Sequence, residues 1–97
     1  MAEERIKRKN LYLGLGRVTQ SDWCKCAKRL GLIASISDGR GSHAVIRDPK
    51  YPEPSDYRGL IATIQKDLQK QYNQTIFKHF LDFGILEDDI WKALKML

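Results

Sequence analysis

The spacing of the chain breakers constrains this sequence more than any other feature. Gly31 closes one segment, Pro49 closes another, and Asp38-Gly39-Arg40-Gly41 interrupts the stretch between them. The apolar runs left over, Leu32-Ile33-Ala34-Ser35-Ile36 and Ala44-Val45-Ile46, are too short for helices and contain enough β-branched residues for strands. Asp-Gly supplies the positive-φ positions that a tight hairpin turn requires. Two short antiparallel strands are therefore expected, the second ending at Pro49, which has no N–H to give to a ladder.

The remaining segments follow from this hairpin. Residues 48–59 hold all three prolines and no periodicity, so they read as a stiffened loop. Leu60-Ile61-Ala62-Thr63-Ile64 is a third strand, completing an antiparallel meander. Upstream, Thr19 or Ser21 caps a helix reaching about Leu30, in which Trp23, Cys26, Ala27 and Leu30 form one buried stripe and Gly31 is the stop. Downstream, Asn73 caps a helix with Ile76, Phe77, Phe80 and Leu81 on its apolar face and Gly84 at its end. His79 falls on the rim of that helix and reads as a surface residue. A last helix starts near Glu87, where Glu87-Asp88-Asp89 suits a positive N-terminus, and turns Ile90, Trp91, Leu94 and Leu97 inward. The order α-β-β-β-α-α gives an α+β fold, with helices on one sheet face and the other face open to a ligand. Whether Val45 or Ile46 faces the core stays open. Residues 1–17 read as an arm, solvated over its densely charged first ten residues and then forming an extra strand or packed segment. Residues 18–97 read as the domain.

Charge narrows the partner. Across 97 residues the net charge is +5 and the pI is about 9.4, which suits nucleic acid or an acidic protein surface. Basic residues flanking the glycine turn favour nucleic acid. No apolar run approaches a membrane span and no secretion signal stands at the start, so a cytoplasmic protein is expected. Cys24-x-Cys26 has no second pair to complete a zinc site, and both read as reduced thiols. Gly14-x-Gly16 lacks the third glycine and the preceding strand of a dinucleotide loop. No cofactor or metal is expected.

One stretch carries chemistry. In Arg40-Gly41-Ser42-His43-Ala44-Val45-Ile46-Arg47-Asp48-Pro49, strand alternation puts His43, Val45 and Arg47 on one side. Histidine moves protons near neutrality, arginine holds phosphate with a permanent fork of donors, and a glycine turn lets backbone N–H groups approach an anion. RNA brings its own nucleophile, the 2′-hydroxyl, so these parts suffice in principle for cleavage by transesterification. The candidate catalytic residue is His43, and the candidate RNA contacts are Arg40, Gly41, Ser42, Arg47 and Lys66.

The run Gly41-Ser42-His43-Ala44-Val45-Ile46-Arg47-Asp48-Pro49 resembles the core motif of the HicA toxin family, the YcfA-like mRNA interferases. The similarity continues through Leu60 to Ile64 and Asn73 to Leu94, covering roughly residues 18 to 97. It implies a double-stranded-RNA-binding-domain-like fold, endoribonuclease activity centred on His43, and a HicB-type antitoxin that covers the active face. Where family members often carry further histidines, this chain has Ala44 and Asp48, and Gln65 and Lys66 follow the third strand. The resemblance thus leaves open both an active and a silenced site. Two other classes remain beside the toxin: a non-catalytic RNA-binding module, and an interaction protein in which His43 is structural.

Overall fold

The computed structural model describes residues 6–36 and 43–97. The predicted meander is present as a three-stranded antiparallel sheet in the order β1-β2-β3, with β1 at Ile33–Ile36, β2 at Ala44–Arg47 and β3 at Leu60–Ile64. Among the described residues four helices accompany it: α1 (Lys9–Leu13), α2 (Gln20–Arg29), α3 (Lys70–Phe83) and α4 (Glu87–Ala93), with short 3-10 turns at Leu15–Arg17 and Tyr57–Gly59. The architecture is α+β. No helix among the described residues is long and apolar enough to cross a membrane.

Register settles which strand residues face inward. Ala34 pairs with Ile46 and Ile46 with Ala62, while Ile36 pairs with Ala44 and Ala44 with Ile64. Ala44, Ile46, Ala62 and Ile64 are buried, because α2 packs against β1 and β2 and α3 against β3 on that side. Ser35, Val45 and Thr63 form the row pointing to the opposite face. Ile46, not Val45, therefore belongs to the core.

Helix α2 begins as its sequence dictates. The Thr19 hydroxyl accepts from the Asp22 N–H at 3.2 Å and the Asp22 carboxylate accepts from the Thr19 N–H at 2.9 Å, a reciprocal cap. Gly31 ends it with φ +81°, and the bonds from Leu32 N–H to the Ala27 carbonyl (2.9 Å) and from Gly31 N–H to that of Lys28 (3.0 Å) close the last turn.

Asn73 is not the cap of α3. The helix starts a turn earlier at Lys70, and Asn73 is fully buried inside it. Its amide nitrogen donates to the carbonyls of Leu15 (2.7 Å) and Val18 (3.0 Å), and its oxygen accepts from Trp23 Nε1 (2.9 Å). One amide thus joins α3, α2 and the segment before α2, and with all these bonds made its burial carries no orphaned group. Trp23 sits against Phe80 with ring centroids 5.3 Å apart, and Phe77 stacks on Trp91 at 4.4 Å. Both indoles are core residues.

The start of the N-terminal segment differs from the solvated arm expected, while residues 11–15 take the packed alternative. Ile6, Tyr12 and Leu15 are buried in the same core as the rest of the domain, and Leu11 to Leu13 are helical rather than extended. The cause lies at the start of α4. The Glu87 carboxylate accepts from the N–H groups of Lys7 (2.7 Å) and Arg8 (2.8 Å) and from Trp91 Nε1 (2.9 Å). Arg8 also pairs with Asp88 at 2.8 Å. The acids expected merely to complement the helix dipole thus tie down residues 6–8 as well. At the other end, Lys95 takes φ +61° after α4, Met96 is partly buried, and Leu97, expected inside, is half exposed.

Candidate functional site

The open face of the sheet is the candidate site, and β2 runs through its middle. His43 immediately precedes β2, and alternation from Val45 puts it on the open face. It is half-buried, so its ring remains reachable. Arg40, Gly41 and Ser42, expected to supply the phosphate-facing turn, lie outside the described residues.

Arg47 belongs to the same strand but not to the same small site. Four residue steps along the chain separate it from His43, about 13 Å of backbone. Its side chain is also only 5% exposed. Nη2 donates to the backbone carbonyls of Tyr51 (3.2 Å), Glu53 (2.6 Å) and Asp56. The guanidinium expected to grip phosphate instead holds the proline-rich loop. Buried carbonyls of a loop without regular structure need donors, and a fixed cationic fork supplies them at close range. The loop closes on itself through Asp48 N–H to the Gly59 carbonyl at 2.8 Å. A Cβ on Gly59 would collide with the Tyr51 carbonyl oxygen and come to 3.0 Å from Arg47 Nη2, so the close approach needs a glycine. Arg58 fastens the outside, lying 4.5 Å over the Tyr51 ring and pairing with Asp56 at 2.8 Å. That hydrogen bond holds the Asp56 carboxyl below its ordinary value.

Asp48, at a position where the resembled family often carries a histidine, stands past the far end of β2. Its carboxylate accepts from the Lys50 N–H at 3.0 Å, within its own turn. Lys66 is exposed and lines a cleft of about 300 Å³ with Arg17, between the starts of α2 and α3. Neither His43 nor Arg47 lines that cleft. The structure therefore does not gather His43, Arg47 and Lys66 around one phosphate.

Two features of this surface were not foreseen. Pro52 and Pro54 lean over the open face beside Ile33, Ser35, Val45 and Arg47, enclosing a groove of about 340 Å³. Only the register links these positions, since β1, β2 and the loop are separate in sequence. Beyond β3, His79 lines a cavity of about 100 Å³ with Thr63, Gln65, Tyr72 and Thr75. Thr63 is the cross-strand partner of Val45, so this cavity borders the same sheet region. Its histidine carried no sequence signal beyond helical position. Among the described residues no group of three His, Cys, Asp or Glu side chains could hold a metal ion.

The arrangement offers a reachable imidazole at one end of an open sheet face and a braced loop at the other. Such a surface can bind an extended chain and transfer a proton at one point along it. Comparison with family models, with curated proteins and with solved structures found no match for this chain.

Proposed function

We propose that this chain is an endoribonuclease toxin of the HicA type, with a double-stranded-RNA-binding-domain-like fold, acting on messenger RNA in the cytoplasm and restrained by a HicB-type antitoxin. The observation that carries the reading is the position of His43, half-buried just before the central strand and, by alternation, on the sheet face opposite the buried Ala44 and Ile46. There its imidazole takes the proton of a ribose 2′-hydroxyl, the oxygen attacks the adjoining phosphorus, the P–O5′ bond breaks, and the departing oxygen takes a proton from water while His43 releases its own to solvent. The products are a cyclic phosphate and a free 5′-hydroxyl. The net charge of +5 favours the approach of the RNA and of an acidic antitoxin surface alike.

The withdrawal of Arg47 into the loop favours a second reading, a module that binds RNA without cutting it. One experiment separates the two. Purified chain is incubated with a single-stranded oligoribonucleotide and with the same oligomer carrying one 2′-deoxy sugar at the cut position. The toxin reading expects the first to be cut and the second to survive at that position. Binding of both with no cleavage of either supports the silent module, and equal cleavage of both contradicts the transesterification.

A further inference from the structure

The groove on the open sheet face has a definite shape. Register sets Ile33 opposite Arg47 and Ser35 opposite Val45. These four residues make the floor, and Pro52 and Pro54 stand beside it. The surface is two aliphatic side chains and two rigid rings, with polarity at only two points. One is the exposed Ser35 hydroxyl. The other is Arg47, whose Nε is buried and has no hydrogen-bond partner among the described residues. A buried donor of a cation without an acceptor is costly, and an oxygen or ring nitrogen that reached it beneath the groove would relieve that cost.

We propose that the groove is a nucleobase subsite, which takes the base of a nucleotide adjoining the one whose phosphate lies at His43. The proposal rests on the ribonuclease reading above and extends it to where RNA is gripped. A base is a flat ring with apolar faces and an acceptor-bearing edge, matching aliphatic floor, proline wall and the donors of Ser35 and Arg47. Position agrees as well. Val45 lies two residues along the strand from His43 on the same face, about 7 Å away. Charge agrees, since a cationic protein with a base pocket beside a proton-transfer group suits a single-stranded polyanion. The selectivity of the groove is then for a base over a bare sugar-phosphate, with the proline loop held in place by Arg47.

The test is a titration of the full chain followed by amide NMR shifts, with adenosine and uridine 5′-monophosphates and with ribose 5-phosphate as probes. The expected result is movement of the Ser35 and Val45 amides with a nucleotide but not with ribose 5-phosphate, and tighter binding of the nucleotide than of ribose 5-phosphate. Ser35→Trp, which plugs the groove from an exposed strand position, is expected to bring nucleotide affinity down to that of ribose 5-phosphate. If that variant does not fold, the wild-type titration still decides. Equal affinities, with the Ser35 and Val45 amides unmoved, overturn the subsite. RNA cleavage by the wild type in that case leaves the ribonuclease reading intact. Base-dependent shifts at Ser35 and Val45 without RNA cleavage support the subsite and count against the ribonuclease reading instead.

Discussion

Replacing Arg47 by alanine asks whether this side chain serves the fold or the RNA. Two hydrogens on Nη2 serve the carbonyls of Tyr51, Glu53 and Asp56. Hydrogen bonds from a charged donor contribute about 1.5–3 kcal/mol each, so losing both hydrogens costs on the order of 3–6 kcal/mol. A domain of 97 residues has a total stability of roughly 5–15 kcal/mol. Arg47→Ala should therefore remove about a fifth of it or more. Urea denaturation followed by the fluorescence of Trp23 and Trp91, both fully buried, measures the change directly. Amide exchange should rise at Asp48 and Gly59, whose bond closes the loop. Arg47→Lys, which keeps charge but not the planar fork, should fall between the two. A melt within about 0.5 kcal/mol of wild type, with the loop amides still protected and RNA affinity lost, would refute the structural assignment and return Arg47 to the phosphate.

Other expectations concern the two places where the N-terminal segment is attached. Asn73→Ala strips partners from the Leu15 and Val18 carbonyls and from Trp23 Nε1; at about 1–3 kcal/mol for each buried group, a loss of at least about 3 kcal/mol is expected in the same urea assay, and a loss under about 1 kcal/mol contradicts it. Burial pushes the Glu87 carboxyl up, but the Trp91, Lys7 and Arg8 N–H donors outweigh it and hold the group below its ordinary value of 4.5. A depressed carboxylate stabilises the fold above its unfolded value and loses that contribution as pH falls through the folded one. Glu87→Gln should thus lower the melting temperature at pH 7 and flatten its decline below about pH 4.5, and an unchanged acid slope would count against the tether. Burial pushes the Cys26 thiol up to about 12; in the native protein at pH 8 it should resist alkylation until denaturant is added, and prompt labelling would show that α2 is not seated as described.

Much of this fold was legible because the breakers and the periodicities agree. Gly31, Pro49 and Gly84 bound segments whose apolar spacing admits only one element each, and the meander, α2 and the aromatic core follow. Asn73 misled because asparagine before an apolar stripe has the pattern of a cap, and only the fold brings Trp23, Leu15 and Val18 to its amide. The arm misled for a similar reason. Its charges look solvated in sequence, but its backbone N–H groups meet Glu87 from the far end of the chain. At the site, Val45 and Arg47 line one groove, as alternation expects, yet alternation says nothing of distance along a strand or of the loop that covers one end. The groove was invisible because its residues come from three separate segments.

The central claim is that His43 transfers the proton in RNA cleavage, and the rate of its alanine variant tests this most directly. Single-turnover cleavage of one oligoribonucleotide is measured for wild type and His43→Ala in the presence of EDTA, after urea melts have shown equal stability. The expected result is a wild-type rate indifferent to EDTA and a variant slower by about 10²–10⁴-fold, the usual share of one proton-transfer group. Equal rates for the two proteins would contradict the claim.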